Sequence, residues 1–144
     1  MNIVYNDSVQ DLNKDLNDLD KVSLKNAKIM LSVDNAIPLK LQLKAENVQI
    51  KDVYGNELTA VKKTMEEDKQ YVTESTDGEK PATSELVLSL TSDDTAFLSK
   101  IDRICFKITA VPGSATGVPL KDTQWLKVTS VKLSVPGGVN VDLN

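Results

Sequence analysis

Histidine is absent from these 144 residues. Without imidazole there is no Ser-His-Asp or Cys-His relay, and the usual nitrogen ligands of zinc are missing. Cysteine occurs once, at Cys105, so no intrachain disulfide can close. Its place inside Ile104-Cys105-Phe106-Lys107-Ile108 reads as a small packing or half-exposed strand residue rather than an acylation site. No metal and no cofactor are expected. Arginine also occurs once, at Arg103, and the net charge is −4. An acidic balance disfavours a phosphate backbone, so no nucleic-acid partner is expected. The lysines are spread along strands, as solvent-facing alternation and edge protection. Aromatic residues are only 4%, so the core must be built from Val, Leu and Ile.

No apolar run approaches a membrane span, and no transmembrane segment is expected. Met1-Asn2-Ile3-Val4-Tyr5 is too short and polar for a signal peptide. Two locations are compatible with that start. One is the cytoplasm. The other is extracytoplasmic, at the cell envelope, with the targeting segment absent from this chain. The Asn/Asp/Thr/Ser-rich, strand-rich pattern favours the second.

What the sequence does contain is an apparent internal repeat. Leu19-Asp20-Lys21-Val22 opens a stretch running through Ile37-Pro38-Leu39-Lys40, Leu43-Lys44, Val48 and Ile50 to Gly55. Leu98-Ser99-Lys100-Ile101 opens a second, running through Val118-Pro119-Leu120-Lys121, Leu126-Lys127, Val131 and Leu133 to Gly137. Units of about 19–55 and 98–137 suggest two halves packed face to face around one core. The length fits one domain over residues 1–144.

Local patterns fill in the frame. Val9, Leu12, Leu16 and Leu19 recur at helical spacing, so residues 6–20 predict one short amphipathic helix, with Asp7 or Ser8 as its cap. Residues 22–33 alternate, with a phase break near Asn26 that suggests a bulge. Asp34 to Pro38 predicts a turn, and Leu39, Leu41 and Leu43 a half-buried strand continued by Val48 and Ile50 after a slip. Tyr54-Gly55-Asn56 is a turn signal, and residues 58–61 predict a short strand. Residues 62–84 have almost no period and predict an exposed hairpin around Tyr71-Val72 and Asp77-Gly78. Leu86, Leu88 and Leu90 mark a strand. Ser92-Asp93-Asp94 caps a helical turn through Ala96, Phe97 and Leu98. Residues 104–110 form a strand, 113–119 a loop, and 126–135 a strand bulged near Thr129-Ser130. Pro136-Gly137-Gly138 turns the chain into a last strand, 139–143. Eight to ten short strands with frequent turns predict an all-β, Ig-like antiparallel sandwich with a pseudo-twofold internal repeat.

Residues 28–55, in which a strand passes through Asp34-Asn35-Ala36-Ile37-Pro38 into a second strand, resemble the Asn-rich Ig-like sandwiches of the late-embryogenesis-abundant type. The ending from Gln124-Trp125-Leu126-Lys127 to Pro136-Gly137-Gly138-Val139-Asn140-Val141-Asp142-Leu143 resembles small cell-envelope lipoproteins of gut anaerobes. The resemblance implies an exported, tethered module. It carries over no catalytic residues.

Candidate sites are few. Asp11-Leu12-Asn13-Lys14-Asp15 imitates the start of a calcium loop, but Leu16 and Val22 stand where an EF-hand needs Gly and Glu. Asp93-Asp94 reads as a helix start, and Glu66-Glu67-Asp68 as a solvated loop. Asn6-Asp7-Ser8 matches a glycosylation acceptor, without a context that gives it meaning. Trp125 differs in parity from Leu126 and Val128, so it should point away from the core with Lys127. An outward Trp is a platform for a sugar ring or a protein partner; the ordinary alternative is packing beneath the helix or the 112–119 loop. Tyr54 and Tyr71 are secondary ligand-binding candidates on turns. The expected function is a non-catalytic binding or structural module of a bacterial envelope, part of a surface or periplasmic lipoprotein, contacting glycan or another envelope protein. The alternatives are a carboxylate-based hydrolase or an accessory domain of one, and a self-associating subunit that uses its edge strands.

Overall fold

The computed structural model describes residues 4–21, 23–136 and 139–143. The strand start expected at Val22 and the turn expected at Gly137-Gly138 lie outside them. The protein is a sandwich of two open antiparallel sheets. Among the described residues, nine strands build it: β1 (Val4–Val9), β2 (Asn26–Asn35), β3 (Leu41–Lys51), β4 (Lys62–Met65), β5 (Tyr71–Val72), β6 (Ala82–Thr91), β7 (Arg103–Ala110), β8 (Leu126–Val135) and β9 (Val139–Asp142). One sheet has the order β1-β7-β3-β5 and the other β4-β6-β2-β8-β9. Two short helices, α1 (Asn13–Leu16) and α2 (Phe97–Lys100), and a 3-10 turn (Asn17–Lys21) pack together.

The order follows the immunoglobulin plan of two sheets, A-B-E-D against G-F-C-C′. β2, β6 and β4 stand as B, E and D, and β3 and β7 as C and F, with β5 in the C′ place. The flanks are exchanged. β1 lies beside β7, where G would lie, and β8 lies beside β2, where A would lie.

The pseudo-twofold is written in the pairing. Ile29 and Leu31 oppose Leu133 and Val131 in one sheet. Ile104 and Phe106 oppose Ile50 and Val48 in the other. Exchanging β2 with β7 and β3 with β8 maps one sheet's ladder onto the other's, but only with Ile29 matched to Ile104, four residues away from the alignment that pairs Leu19 with Leu98. Both second strands bulge opposite the first strand of the other unit, β3 between Leu43 and Val48 and β8 at Thr129. The connections break the symmetry. Residues 36–40 join β2 to β3, whereas 111–125 join β7 to β8. The matched Ile37-Pro38-Leu39-Lys40 and Val118-Pro119-Leu120-Lys121 thus sit in loops of very different length.

Strand alternation places the core. Ala27, Ile29, Leu31 and Val33 of β2 face Leu41, Leu43, Val48 and Ile50 of β3 across the interior, with Leu86, Leu88 and Leu90, Ile104, Phe106 and Ile108, and Val131 and Leu133 completing the layers. Each wholly buried aliphatic side chain contributes about 2 kcal/mol of transfer free energy.

Four local expectations are corrected. Residues 4–9 are a strand, not the start of a helix, because β7 presents a free edge that the extended chain satisfies. Helix is confined to Asn13–Leu16, which buries Leu12 and Leu16 at i, i+4 and has no side-chain cap. Residues 23–25 precede β2 rather than joining it through a bulge; Leu24 N–H donates to the Thr95 carbonyl instead. Residues 58–61 turn rather than extend, with Val61 N–H donating to Leu58 O, because burying Val61 against the core needs a tight reversal. Residues 62–84 are not an exposed hairpin. β4 pairs with β6 and β5 pairs with β3, so the segment crosses between sheets and buries Val72 completely. Where β4 ends, the 66–69 strap continues its work. Glu66 N–H donates to Val87 O, and Val87 N–H to Lys69 O, which satisfies the β6 edge.

β1 carries a titration marker. The Tyr5 hydroxyl donates to the Asp7 carboxylate at 3.0 Å. Partial burial first, then that bond and the Asp7 charge, push Tyr5 up from 10.0 to about 12. The folded state therefore holds the phenolic proton more tightly than the unfolded chain. The stability this adds is complete below pH 10 and is lost as pH rises from 10 towards 12. One tyrosine is expected to titrate late in an ultraviolet absorbance titration, and Tyr5→Phe should remove that late step.

Candidate functional site

Three loops meet at one end of the sandwich: 36–40, 73–81 and 111–125. Strand register puts them together, because Asn35 pairs with both Ala82 and Leu126, and Leu41 with both Val72 and Ala110. This is the end at which immunoglobulin-type domains carry their B–C and F–G loops.

The 36–40 segment is the hub. Asn35 is wholly buried at the end of β2. Its Nδ2 donates to the carbonyls of Leu39 (3.2 Å) and Thr73 (3.1 Å), and its Oδ1 accepts from Ile37 N–H (2.9 Å). Ser75 N–H donates to Ile37 O at 3.0 Å, tying in the second loop. Val111 N–H donates to Lys40 O at 2.8 Å, and Ala36 N–H to Trp125 O at 2.8 Å, tying in both ends of the third. Thr116 Oγ1 adds a bond to Pro38 O.

The second loop is braced by its own polar groups. Asp77 Oδ1 accepts from Glu79 and Lys80 N–H, while Ser75 Oγ donates to Lys80 O and accepts from Gly78 N–H. The Lys80 amide first, then that of Glu79, holds the Asp77 carboxyl below its usual range. Gly78 has φ +74, and a Cβ there would meet Gln124 Nε2 at 2.5 Å and Val118 Cγ1 at 3.4 Å, so the second and third loops touch. Gln124 itself is fixed, donating to Pro119 O and accepting from Lys121 N–H.

Trp125 follows that clamp and is 42% exposed, while Leu126 turns into the core. Its backbone is fixed by Ala36 and its ring faces outward. Tyr71 stands at the same end on the other sheet, opposite Gln42, with Val72 pointing inward. Lys40 Nζ lies 4.4 Å from the Tyr71 ring centroid, a cation–π contact. An apolar notch of about 390 Å³ opens at this end among Leu39, Val111, Pro112 and Leu120. Tyr54 is not part of this group. It is 85% exposed on the turn after β3, where Asp52 Oδ1 accepts from Tyr54 and Asn56 N–H and Gly55 takes φ +81. The length of β3, roughly 30 Å at 3.3 Å per residue, separates it from Tyr71.

Of the site residues named from the sequence, Trp125 and Tyr71 lie at this end; Lys40, Leu39 and Leu120, which also lie here, were not named as such. The only available signal was the shared Pro-Leu-Lys of both repeat units. Also not named was a groove of about 560 Å³ on the outer face of the β1-β7-β3 sheet. Asn6, Ser8, Asn47, Gln49 and Lys107 line it, and Cys105 is half-buried in its floor. The large β3 bulge raises its wall.

Elsewhere the polar groups brace structure. Asp94 is held low first by its hydrogen bond from Lys100 and then by Ala96 N–H, at the start of α2. Among the described residues, no three Cys, Asp or Glu side chains converge as a metal site, and no helix is long and apolar enough to cross a membrane.

The fold and this end define an antiparallel β-sandwich of two open sheets with a braced loop cluster. No family model, curated protein or solved structure matches the chain.

Proposed function

We propose that this protein is a non-catalytic binding module of a bacterial cell envelope, part of a surface or periplasmic lipoprotein. It contacts glycan or another envelope protein through its loop end. The observation that carries the reading is Trp125. A large ring is left 42% exposed on a backbone held by Ala36, in a chain with one Trp in all. Exposing such a ring forgoes the burial that would stabilise the fold, and rigid aromatic surface is what sugar faces and protein hot spots use. Tyr71 under Lys40 and the adjoining notch extend the same surface. Tyr54 lies outside this surface.

Trp125 is also the reporter. A panel of cell-wall fragments and oligosaccharides, titrated against intrinsic fluorescence, should shift or quench its emission with one ligand class. The same ligand should raise the melting temperature of the wild type and not that of Trp125→Ala. Trp125→Ala alone should change stability by less than about 1 kcal/mol, because the ring is half in water. If a ligand raises both melting temperatures equally, the site lies elsewhere.

A further inference from the structure

We propose that β1 exchanges between two copies of this chain, each β1 leaving its own β7 to pair with the β7 of the second copy. The proposal is independent of the ligand reading.

Four observations converge on it. First, β1 is lightly held. Its pairs run from Val4↔Thr109 to Val9↔Ile104, and none of its six side chains is buried; Val4 is 48% exposed. By contrast, β2 buries alternate residues along most of its length. The hold on β1 is its backbone ladder and the partial packing of Tyr5 and Val9 against the core, both of which an identical second copy reproduces. Second, the sheet facing it does not clamp it. A cleft of about 370 Å³ opens where Val9 and Asp11 of this arm meet Val128 and Leu143.

Third, the hinge is strained and short. Asp11 has φ 60, alone among the described non-glycine residues in being positive. The left-handed region disfavours an L side chain, though Asp enters it more readily than most. Straightening the chain at this point relieves that strain, and short strained hinges favour exchange. Fourth, the moving part ends sharply. Leu12 is buried and its N–H donates to Asp102 O at 2.9 Å. Asn13 N–H donates to the Asp102 carboxylate, and Asn13 Nδ2 to Ser99 O. Everything from Leu12 onward stays with its own core. An arm without its partner would leave the β7 edge unpaired, so the open form is filled by a second arm rather than left open.

The register supplies the test. Ser8 lies directly opposite Cys105, the chain's single cysteine. Directly opposed residues in an antiparallel pair are within disulfide reach. Ser8→Cys, refolded with oxidised glutathione to take up the two electrons, should link Cys105 to the new thiol within one chain at low concentration. At high concentration the same link should join two chains. While monomer dominates, the dimer-to-monomer ratio should rise about tenfold for each tenfold in concentration. Mixing ¹⁵N-labelled and unlabelled chains and mapping the linked peptides identifies the bond as one between position 8 of one chain and Cys105 of the other.

Asp11→Pro, whose φ is fixed near −65°, should favour the exchanged dimer by light scattering. Asp11→Gly, which accepts positive φ freely, should favour the monomer. Intramolecular links at every concentration would overturn the proposal, as would a folded Asp11→Pro that stays monomeric. If Asp11→Pro fails to fold, the Ser8→Cys result decides alone.

Discussion

Asn35→Ala is expected to lower the free energy of unfolding by about 3 kcal/mol, more than any other polar substitution in the chain. Asn35 is wholly buried and uses both ends of its amide. Removing it orphans two carbonyls, of Leu39 and Thr73, and the N–H of Ile37, in a region that water reaches poorly. A buried group left without its partner costs about 1–3 kcal/mol. Asn35→Asp should be at least as damaging, because it deletes both donors and puts a charge in their place. Denaturant unfolding checks this: the midpoint should fall while the slope stays constant. The loss should also spread. Ala36 holds the Trp125 carbonyl, and Ile37 and Lys40 hold the other two loops. Any ligand response of Trp125 should therefore weaken in Asn35→Ala, even at temperatures where the variant is fully folded. Destabilisation with no loss of that response would mean that the loop end does not depend on its hub.

How much of this could be read from the chain depended on the range of the interactions. Period-2 alternation located β2, β3, β6, β7 and β8, because each buries one face and its side chains record that directly. The bulge at Thr129 was legible because a bulge shifts the phase of the pattern. β1 was not. Asn6, Asp7 and Ser8 have weak strand propensity, and only the free edge of β7, about a hundred residues away, makes them extend. The same holds for residues 62–84, whose two short strands join different sheets and have too few residues to show a period. Parity aimed Trp125 outward, but nothing local could show that Ala36 would hold its backbone or that Gln124 beside it would meet Gly78. Asn35 read simply as part of a turn. That it is the hub follows from its burial, which is a property of the assembled end.

Phe97→Ala is expected to cost about 4 kcal/mol, the largest loss from any single truncation. Phe97 is among the largest fully buried side chains, at 1% exposure, and it closes the end of the sandwich opposite the loop cluster. The core around it is mostly aliphatic, with two phenylalanines in the whole chain, so the truncation leaves a cavity. Phe97→Leu, which keeps most of the volume, should cost less than about 1.5 kcal/mol if shape rather than aromaticity matters. The other helical piece makes a sharper control. Asp18, beside Leu16 and before the first unit, is exposed where Phe97 is buried. The two pseudo-equivalent units thus close this end with different residues. The second supplies the plug through Phe97 and Leu98, and the chain just before the first seals the same end through Leu12 and Leu16. Asp18→Ala should shift stability by no more than about 0.5 kcal/mol. Equal losses at positions 18 and 97 would mean that the two helical pieces carry the core alike, and that the asymmetry between the units is only apparent.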